Sequence, residues 1–283
     1  MLGRYEVARE YKTSRDVEGR VSGPLSTLAE HFRRVASVPE DVVEEARTNG
    51  LVAWSPAAAN EAVVEEFLVR YGARASPGGV VFLAGTPGLR AAESTGLPLV
   101  DARVARDVLD LSKVSGDTLD VSAQRFWSVL TDVRARVAAP WEPFFATAQV
   151  LDVCPYAFTS ADRRPAPLPR ALPVELPRAY EAGLAELARV LRALRPTTLV
   201  ALGELAYAAV SDLAGNRRAL LGAAGLDYSA FVLSRTWGAP GAPYPWADLG
   251  SFRARVVPLG EPRSALFPHA AVSLAGLAAD CWT

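Results

Sequence analysis

Short apolar runs alternate with amphipathic stretches along this chain. Four of the runs end at a polar or glycine-containing corner, and they cover residues 80–84, 148–151, 198–202 and 254–259. Apolar residues between the runs recur at helical spacing. Strands that alternate with helices are typical of a parallel sheet with crossover helices. We therefore predict an α/β fold, in which a central four-stranded parallel sheet is flanked by helices.

The periodic stretches also define the predicted helices. Pro39 divides the first stretch, residues 25–46, into two helices that form an N-terminal helical extension. Further helices are predicted over residues 60–71, 101–111, 122–137, 176–194, 204–213 and 270–279. Residues 1–22 are polar and charged, which indicates a flexible N-terminal segment, and residues 23–283 are expected to form a single domain.

The corners after the four strands are the candidate functional site. Ligands of parallel sheets bind beyond the carboxyl ends of the strands, so we expect the corners to converge on one cleft. The corners are Gly85-Thr86-Pro87-Gly88, Asp152-Val153-Cys154-Pro155, Gly203-Glu204 and Gly260-Glu261-Pro262-Arg263-Ser264. Glycine lets a backbone approach a ligand closely, although each corner taken alone is also compatible with an ordinary turn.

Composition narrows the class of protein. Of 283 residues, 50% are hydrophobic and 22% are charged, which is typical of a globular domain. The net charge of −1 provides no global field that attracts nucleic acid, so any DNA contact needs a local basic patch. No apolar run approaches the roughly 20 residues that span a bilayer, and no signal sequence is visible, so we expect a cytoplasmic protein without membrane contact. With two cysteines and two histidines, we expect neither a metal site nor another cofactor.

Several motifs, taken in order, resemble those of the uracil-DNA glycosylase superfamily, and most closely its single-strand-selective monofunctional branch. The matching segments are residues 82–88, 94–99, 125–128, 152–155 and 258–263, which read FLAGTPG, STGLPL, RFWS, DVCP and PLGEPR. The resemblance runs from about residue 25 to the C-terminus. It implies a three-layer α/β/α domain with strand order 2-1-3-4, which binds DNA and turns a base out of the stack. We expect a monomer.

The chain departs from the family at four functional positions. Thr86 stands where the family has the Asn that helps to position the attacking water, and Asp152 stands where it has the base-reading Asn. Glu261 replaces the His that stabilises the leaving base, and Leu99 replaces the Phe that stacks on it. Because the scaffold residues are retained, we interpret these differences as either a change of substrate or a loss of the chemistry.

Asp152 bears most directly on base choice. An ionised carboxylate only accepts hydrogen bonds, so it repels the carbonyl at the 4-position of uracil and suits the amino group of cytosine or a guanine-like edge. We therefore predict that unmodified uracil is not the preferred base. The alternative is that Asp152 simply caps the segment that follows it.

Glu261 leaves two alternatives open. A protonated Glu261 donates to the departing base as an acid, whereas a Glu261 that pairs with Arg263 has only a structural role. Thr86, Asp101 and Glu261 form the predicted catalytic group, because paired carboxylates serve as acid and base in glycoside cleavage. Asp101 is also placed to cap the helix that it precedes.

The remaining candidates surround the base or face DNA. The predicted base pocket consists of Gly85, Pro87, Gly88, Leu99 and Asp152, with Tyr156 as a substitute stacking ring. The loop after the last corner supplies the predicted DNA contacts, which are Arg263, Ser264, Leu266, Phe267 and His269. The alternative for Leu266 and Phe267 is that they pack on the body of the protein.

These observations favour a DNA-glycosylase-like protein of base excision repair. It recognises or excises a flipped, modified or mismatched base other than uracil by hydrolysis of the N-glycosidic bond. Two alternatives stay open: an inactive relative that binds DNA or a protein partner through the same cleft, and a hydrolase of small nucleosides. The near-neutral charge favours the nucleoside over the polymer, since polymer binding usually needs a basic stripe.

Overall fold

The computed structural model describes residues 24–72, 77–160, 162, 172–215, 244–264 and 267–282. The predicted N-terminal segment, residues 1–22, lies outside this part of the chain. The α-helices of the described residues are α1 Pro24–Val35, α2 Glu40–Thr48, α3 Pro56–Ala59, α4 Glu61–Arg70, α5 Leu89–Ser94, α6 Val121–Val137, α7 Trp141–Thr147, α8 Leu172–Glu175, α9 Pro177–Leu194, α10 Glu204–Leu213 and α11 Phe267–Ala279. The described helices include none that is both long and apolar enough to cross a bilayer.

Most predicted helices form within a few residues of their expected bounds, and Pro39 separates α1 from α2 as its missing N–H requires. The segment 101–111 differs, because its centre, Val104–Val108, is a π-helical turn. Asp101 does cap this segment: its Oδ1 accepts from the backbone N–H of Val104 at 2.8 Å.

The strands are β1 Leu51–Trp54, β2 Val80–Ala84, β3 Ala148–Asp152, β4 Ala157–Ser160, β5 Thr198–Leu202, β6 Trp246–Asp248 and β7 Arg253–Leu259. The central sheet has the order β3-β2-β5-β7-β6. Its four predicted strands pair in parallel in the implied order 2-1-3-4, so the predicted fold class is confirmed. A fifth strand, β6, adds an antiparallel edge that the apolar pattern did not indicate. β1 and β4 form a separate antiparallel pair.

Helices cover both faces of the central sheet. Along β2, Phe82 and Ala84 belong to the core shared with α6, α7 and α11. Val81 and Leu83 belong to the core shared with α2, α9 and α10. Side chains of a strand point alternately to opposite faces, so a strand buried on both sides reads as a continuous apolar run. The three-layer α/β/α arrangement follows, and it leaves the strand ends as the place for a site.

Candidate active site

A cleft of about 350 Å³ opens where β2, β5 and β7 end. Thr86 after β2 and Glu261 after β7 both line it, as do Leu99 and Arg263. Gly85 and Gly88 also line the cleft, so the first corner contributes backbone as well as the Thr86 hydroxyl. The cleft lies at the carboxyl edge of the parallel strands, which is the edge where such sheets bind ligands.

Glu261 lies against the corner that follows β5. Gly203 has a φ of 109°, and a Cβ at this position would lie 3.4 Å from the Cβ of Glu261. The positive φ favours glycine at this position, and the β7 corner packs against it at van der Waals distance. This packing fixes the start of the loop that carries Glu261.

The carboxylate of Glu261 pairs with Arg263, with 2.7 Å between Oε1 and the arginine Nε. Both side chains are partly open to solvent, at 43% and 61% exposure. Of the two alternatives for Glu261, the geometry agrees with the ion pair rather than with a buried, protonated acid. The pair brings a guanidinium into the cleft together with the carboxylate.

Asp152 does not line this cleft. It lines a neighbouring small cavity with Pro87, Pro98 and His31, where it is 7% exposed. Its Oδ1 is buried and has no hydrogen-bond partner among the described residues. Burial raises the pKa of Asp152 to about 8.

This protonation state corrects the argument from sequence, which treated Asp152 as ionised. At pH 7 the side chain is mainly a neutral acid, which offers one donor and one acceptor oxygen. An Asn side chain also presents a donor and an acceptor side by side. The repulsion of uracil that the sequence suggested therefore applies only above about pH 8.

Asp101 is fully buried, and hydrogen bonds occupy both oxygens of its carboxylate. Besides Val104, these oxygens accept from the backbone N–H of Asp120 at 2.7 Å and from Nε2 of Gln124 at 2.9 Å. Such a carboxylate is not in contact with the cleft. Asp101 has a structural role: its hydrogen bonds join the segment that begins at residue 101 to the start of α6.

Leu99 has a φ of 54°, a left-handed conformation that costs a non-glycine residue roughly 1–2 kcal/mol. The indole N–H of Trp127 donates to its carbonyl at 2.7 Å and holds this conformation. The Leu99 side chain therefore meets the cleft from a strained, fixed backbone. Backbone strain of this kind is found frequently at ligand sites.

Three other predicted residues lie away from the cleft. Tyr156 is 4% exposed and packs in the core with α9, so it offers no stacking ring to the cleft. Phe267 begins α11 and is 3% exposed in the core on the other face of the sheet, which agrees with the alternative that it packs on the body of the protein and not with a wedge that enters DNA. Pro87 lines the small cavity beside Asp152.

The loop after Glu261 is only partly described. Arg263 is exposed and Ser264 is half-buried, so both are accessible. Leu266 lies outside the described residues, and His269 is described only as part of the backbone of α11. Arg125 of α6 donates to the carbonyls of Pro262 and Ser264, each at 3.2 Å, and so holds this loop from below.

Sequence reasoning missed Asp120, which also lines the cleft. The signal was present, because an Asp directly before a helical apolar pattern predicts an N-cap. Among the described residues no group of three or more His, Cys, Asp or Glu side chains could hold a metal ion. Cys154 and Cys281 are both buried thiols.

No family model matches the chain, and no curated protein matches it. Among solved structures, it is similar to the crystal structure of wild-type SMUG2 from Pedobacter heparinus. The two proteins share their fold. The TM-score is 0.56 over 88% of this chain and 96% of the SMUG2 chain, with 14% sequence identity. At this identity the likeness shows the fold, and the cleft must be interpreted from its own residues.

Proposed function

We propose that the protein hydrolyses the N-glycosidic bond of a nucleotide whose base has been turned out of DNA into the cleft. The observation that carries this proposal is the meeting of Thr86, Glu261 and Arg263 in one cleft of about 350 Å³. Ligand pockets usually have volumes of roughly 300–1,000 Å³, so the cleft lies at the small end of that range. The fold shared with SMUG2, a DNA glycosylase, supports N-glycosidic bond hydrolysis as the reaction class.

The chemistry follows from the groups in the cleft. Water attacks C1′ of the sugar, the bond from C1′ to the base nitrogen breaks, and its electron pair leaves with the base. The Thr86 hydroxyl holds the water by a hydrogen bond but is too weak a base to deprotonate it. Arg263 supplies positive charge where the departing base becomes negative, a task for which a preorganised cation in a cleft is suited.

The base preference differs from uracil in this proposal. Glu261 offers acceptors where the related glycosylases have a donor, so it favours a base that presents an amino group, such as cytosine or a guanine-like base. Asp152 lies in the small cavity next to the cleft, so it is the proposed reader only of a base edge that reaches past Pro87 into that cavity, where its Oδ1 has no partner among the described residues. Because its pKa is about 8, we expect discrimination against uracil to increase as the pH rises through 8.

A substrate panel tests this proposal. The protein is incubated with oligonucleotides that contain uracil, cytosine, guanine or modified bases, and with free nucleosides, and the released base is measured by chromatography. We expect release from an amino-bearing base to exceed release from uracil. Clear preference for uracil at pH 9 contradicts the proposed specificity, and release from free nucleosides alone favours the small-nucleoside hydrolase.

A matched variant tests whether the differing residues set the specificity. In the triple variant Thr86→Asn, Asp152→Asn and Glu261→His, the site regains the residue types of uracil-removing relatives. We expect it to gain uracil release and to lose the pH dependence of base choice. The variant Asp132→Asn, which changes an exposed residue of α6 away from the cleft, serves as control.

A second candidate is a DNA-binding module without catalysis. Two observations favour it: Glu261 is engaged by Arg263, and Asp152 lies outside the cleft. This candidate predicts oligonucleotide binding, measured by fluorescence anisotropy, with no base released from any substrate and no gain of release in the triple variant.

A further inference from the structure

Asp120 lies in the same cleft as Thr86 and Glu261. It is half-buried at the start of α6, a helix of 17 residues, so the positive end of the helix dipole faces its carboxylate. Neither resemblance nor the reaction proposed above assigns it a role. It is nevertheless the residue whose carboxylate is best placed to meet a molecule in the cleft.

The two oxygens of Asp120 have different surroundings. Oδ1 accepts from the backbone N–H groups of Ser122 at 2.9 Å and Ala123 at 3.0 Å, which is an N-cap. Oδ2 accepts no hydrogen bond from the described residues and lies over Gly88: a Cβ on that glycine would be 2.5 Å from it. A capping residue needs only one oxygen, so the second oxygen is available to the cleft.

Asp101 fixes the position of this carboxylate. The backbone N–H of Asp120 donates to Oδ2 of Asp101 at 2.7 Å, and Gln124 of the same helix donates to both Asp101 oxygens. Since Asp101 is fully buried, the anchor cannot shift with solvent. Asp101 is therefore a positioning residue that acts through Asp120.

We propose that Asp120 is the catalytic carboxylate of the cleft and that its Oδ2 accepts the proton of the attacking water. This inference rests on the proposed N-glycoside hydrolysis. The other groups do not compete for the role, because Thr86 is a weak base and Glu261 is engaged by Arg263. A side chain at Gly88 would displace Oδ2 of Asp120, so glycine at this position of the first corner leaves the oxygen where it is.

The attack consumes one water and regenerates the carboxylate of Asp120. The water oxygen bonds to C1′ while one of its protons passes to Oδ2 of Asp120. The bond from C1′ to the base nitrogen breaks, and its electron pair leaves on that nitrogen. The proton on Oδ2 then passes through solvent to the base, so that water, sugar and base account for all atoms and the carboxylate is regenerated.

Asp120→Asn separates the cap from the chemistry. The amide oxygen of Asn still accepts from Ser122 and Ala123, so the midpoint of thermal unfolding should stay within about 3 °C, whereas a lost general base lowers the rate by roughly 10²–10⁴-fold. We expect base release to fall at least about 100-fold with a KM within about 3-fold of the wild type. Asp132→Asn, on the same helix, should leave the rate unchanged.

A structural role and a catalytic role differ in their response to added formate. Gly is tolerated at an N-cap with a loss of only a few tenths of a kcal/mol, so Asp120→Gly should fold and leave room for a small carboxylate. We expect formate to restore base release at least about 10-fold in Asp120→Gly and not in Asp120→Asn, where the amide fills the space. An unchanged rate in Asp120→Asn overturns the role of Asp120.

Binding measurements separate this inference from the proposed reaction. The probes are two oligonucleotides, one with a neutral tetrahydrofuran abasic site and one with a cationic pyrrolidine abasic site. We expect the wild type to bind the oligonucleotide with the cationic site more tightly than the neutral one, and Asp120→Asn to reduce this ratio of affinities at least about 10-fold. If that preference exists but no base is released, Asp120 faces the sugar and the proposed hydrolysis is wrong. If base is released and Asp120→Asn changes neither measurement, the hydrolysis stands and the role of Asp120 is wrong; indifference in every measurement overturns both.

Discussion

At the scale of single residues, Asp152 connects the stability of the fold with pH. Its burial at the end of β3 raises its pKa to about 8, whereas a solvated Asp has a value of 3.8. Between these two values the unfolded chain releases the proton and the folded chain retains it. The folded state then binds more protons than the unfolded state, so the free energy of unfolding falls as the pH rises from about 4 to 8.

The variant Asp152→Asn should remove this pH dependence, because its amide keeps a donor and an acceptor but does not ionise. We expect its free energy of unfolding to exceed that of the wild type by more at pH 9 than at pH 5. The difference should reach at most about 4 kcal/mol, since one pKa unit corresponds to about 1.36 kcal/mol. Urea denaturation at both pH values measures it. Parallel pH profiles for the two proteins contradict the raised pKa, and Asp132→Asn controls for a changed surface charge.

The charge of Asp152 is also the clearest limit of sequence reasoning at this scale. The apolar pattern of the sequence correctly predicted that Asp152 lies at the end of a strand. Its burial depends on His31, Pro87 and Pro98, which three different segments bring to the same cavity. No local pattern contains that information. The pairing of Glu261 with Arg263, by contrast, was one of two stated alternatives, because the two residues are neighbours in sequence.

At the scale of elements, the buried carboxylate of Glu186 joins α9 to α1. Its Oε1 lies 2.9 Å from Nδ1 of His31, and its Oε2 accepts from Nε of Arg34 at 3.0 Å. Arg189 donates to both oxygens. Burial alone would raise the pKa of Glu186, but the hydrogen bonds from His31 and Arg189 outweigh it and hold the pKa at about 2.

Glu186→Gln should therefore destabilise the protein. Gln removes the charge-assisted hydrogen bonds that the carboxylate accepts from Arg34 and Arg189, and we expect a decrease of about 2 kcal/mol in the free energy of unfolding at pH 7. A carboxyl with a lowered folded pKa stabilises the fold above its unfolded value of 4.5, and this contribution is lost as the pH falls towards 2. The gap between the variant and the wild type should therefore narrow between pH 4.5 and 2.5.

The exposed Glu181 of the same helix provides the control for this prediction. It lies 3.6 Å from Arg178, and both side chains are more than 60% exposed. Surface pairs of this type contribute roughly 0–1 kcal/mol, so Glu181→Gln should change stability little. An equal effect of the two substitutions contradicts a special role for the contact between α1 and α9.

Arg125 links another element, α6, to the loop that carries Glu261 and Arg263. Its Nη1 donates to the carbonyls of Pro262 and Ser264. Arg125→Met keeps much of the side-chain volume but removes both hydrogen bonds. We expect base release to fall about 10-fold or more, because catalysis is sensitive to small displacements of the groups in a site.

The comparison for this variant is Arg136→Met, which changes an exposed position of the same helix. We expect Arg136→Met to retain the wild-type rate, and both variants to keep a thermal midpoint within a few degrees of the wild type. A rate loss common to both variants would mean that α6 responds to charge in general and not to its tie to the loop.

Elements differ in how well the sequence predicts them. The four parallel strands are buried on both faces, so each is a continuous apolar run that the sequence alone predicts. β1 and β4 were missed because each has four residues and its partner lies about a hundred positions away along the chain. α7 was missed because Pro143 lies within it; as a residue of the first helical turn, this proline breaks no intrahelical hydrogen bond.

At the scale of the whole molecule, the balance of charge decides between a polymer and a small substrate. The net charge is −1, so attraction to DNA must come from local groups. Arg90 and Arg263 both line the cleft. Arg263 is paired with Glu261, whereas Arg90 is exposed and donates only to the carbonyl of Leu119, at 3.3 Å, among the described residues. Arg90 is therefore the better placed of the two to contact a phosphate.

Salt dependence measures that contact directly. Each neutralised phosphate contributes about 0.7 to the slope of log affinity against log salt for single strands and about 0.9 for duplex DNA. Arg90→Gln should therefore reduce the slope for an oligonucleotide by about one such contact and weaken binding equally for all sequences. Arg136→Gln should leave the slope unchanged. A wild-type slope near zero, together with binding of free nucleosides, would mean that the polymer is not the partner. The cleft would then serve a small nucleoside on the fold shared with SMUG2, because loss of phosphate contacts leaves the strand ends and their carboxylates intact.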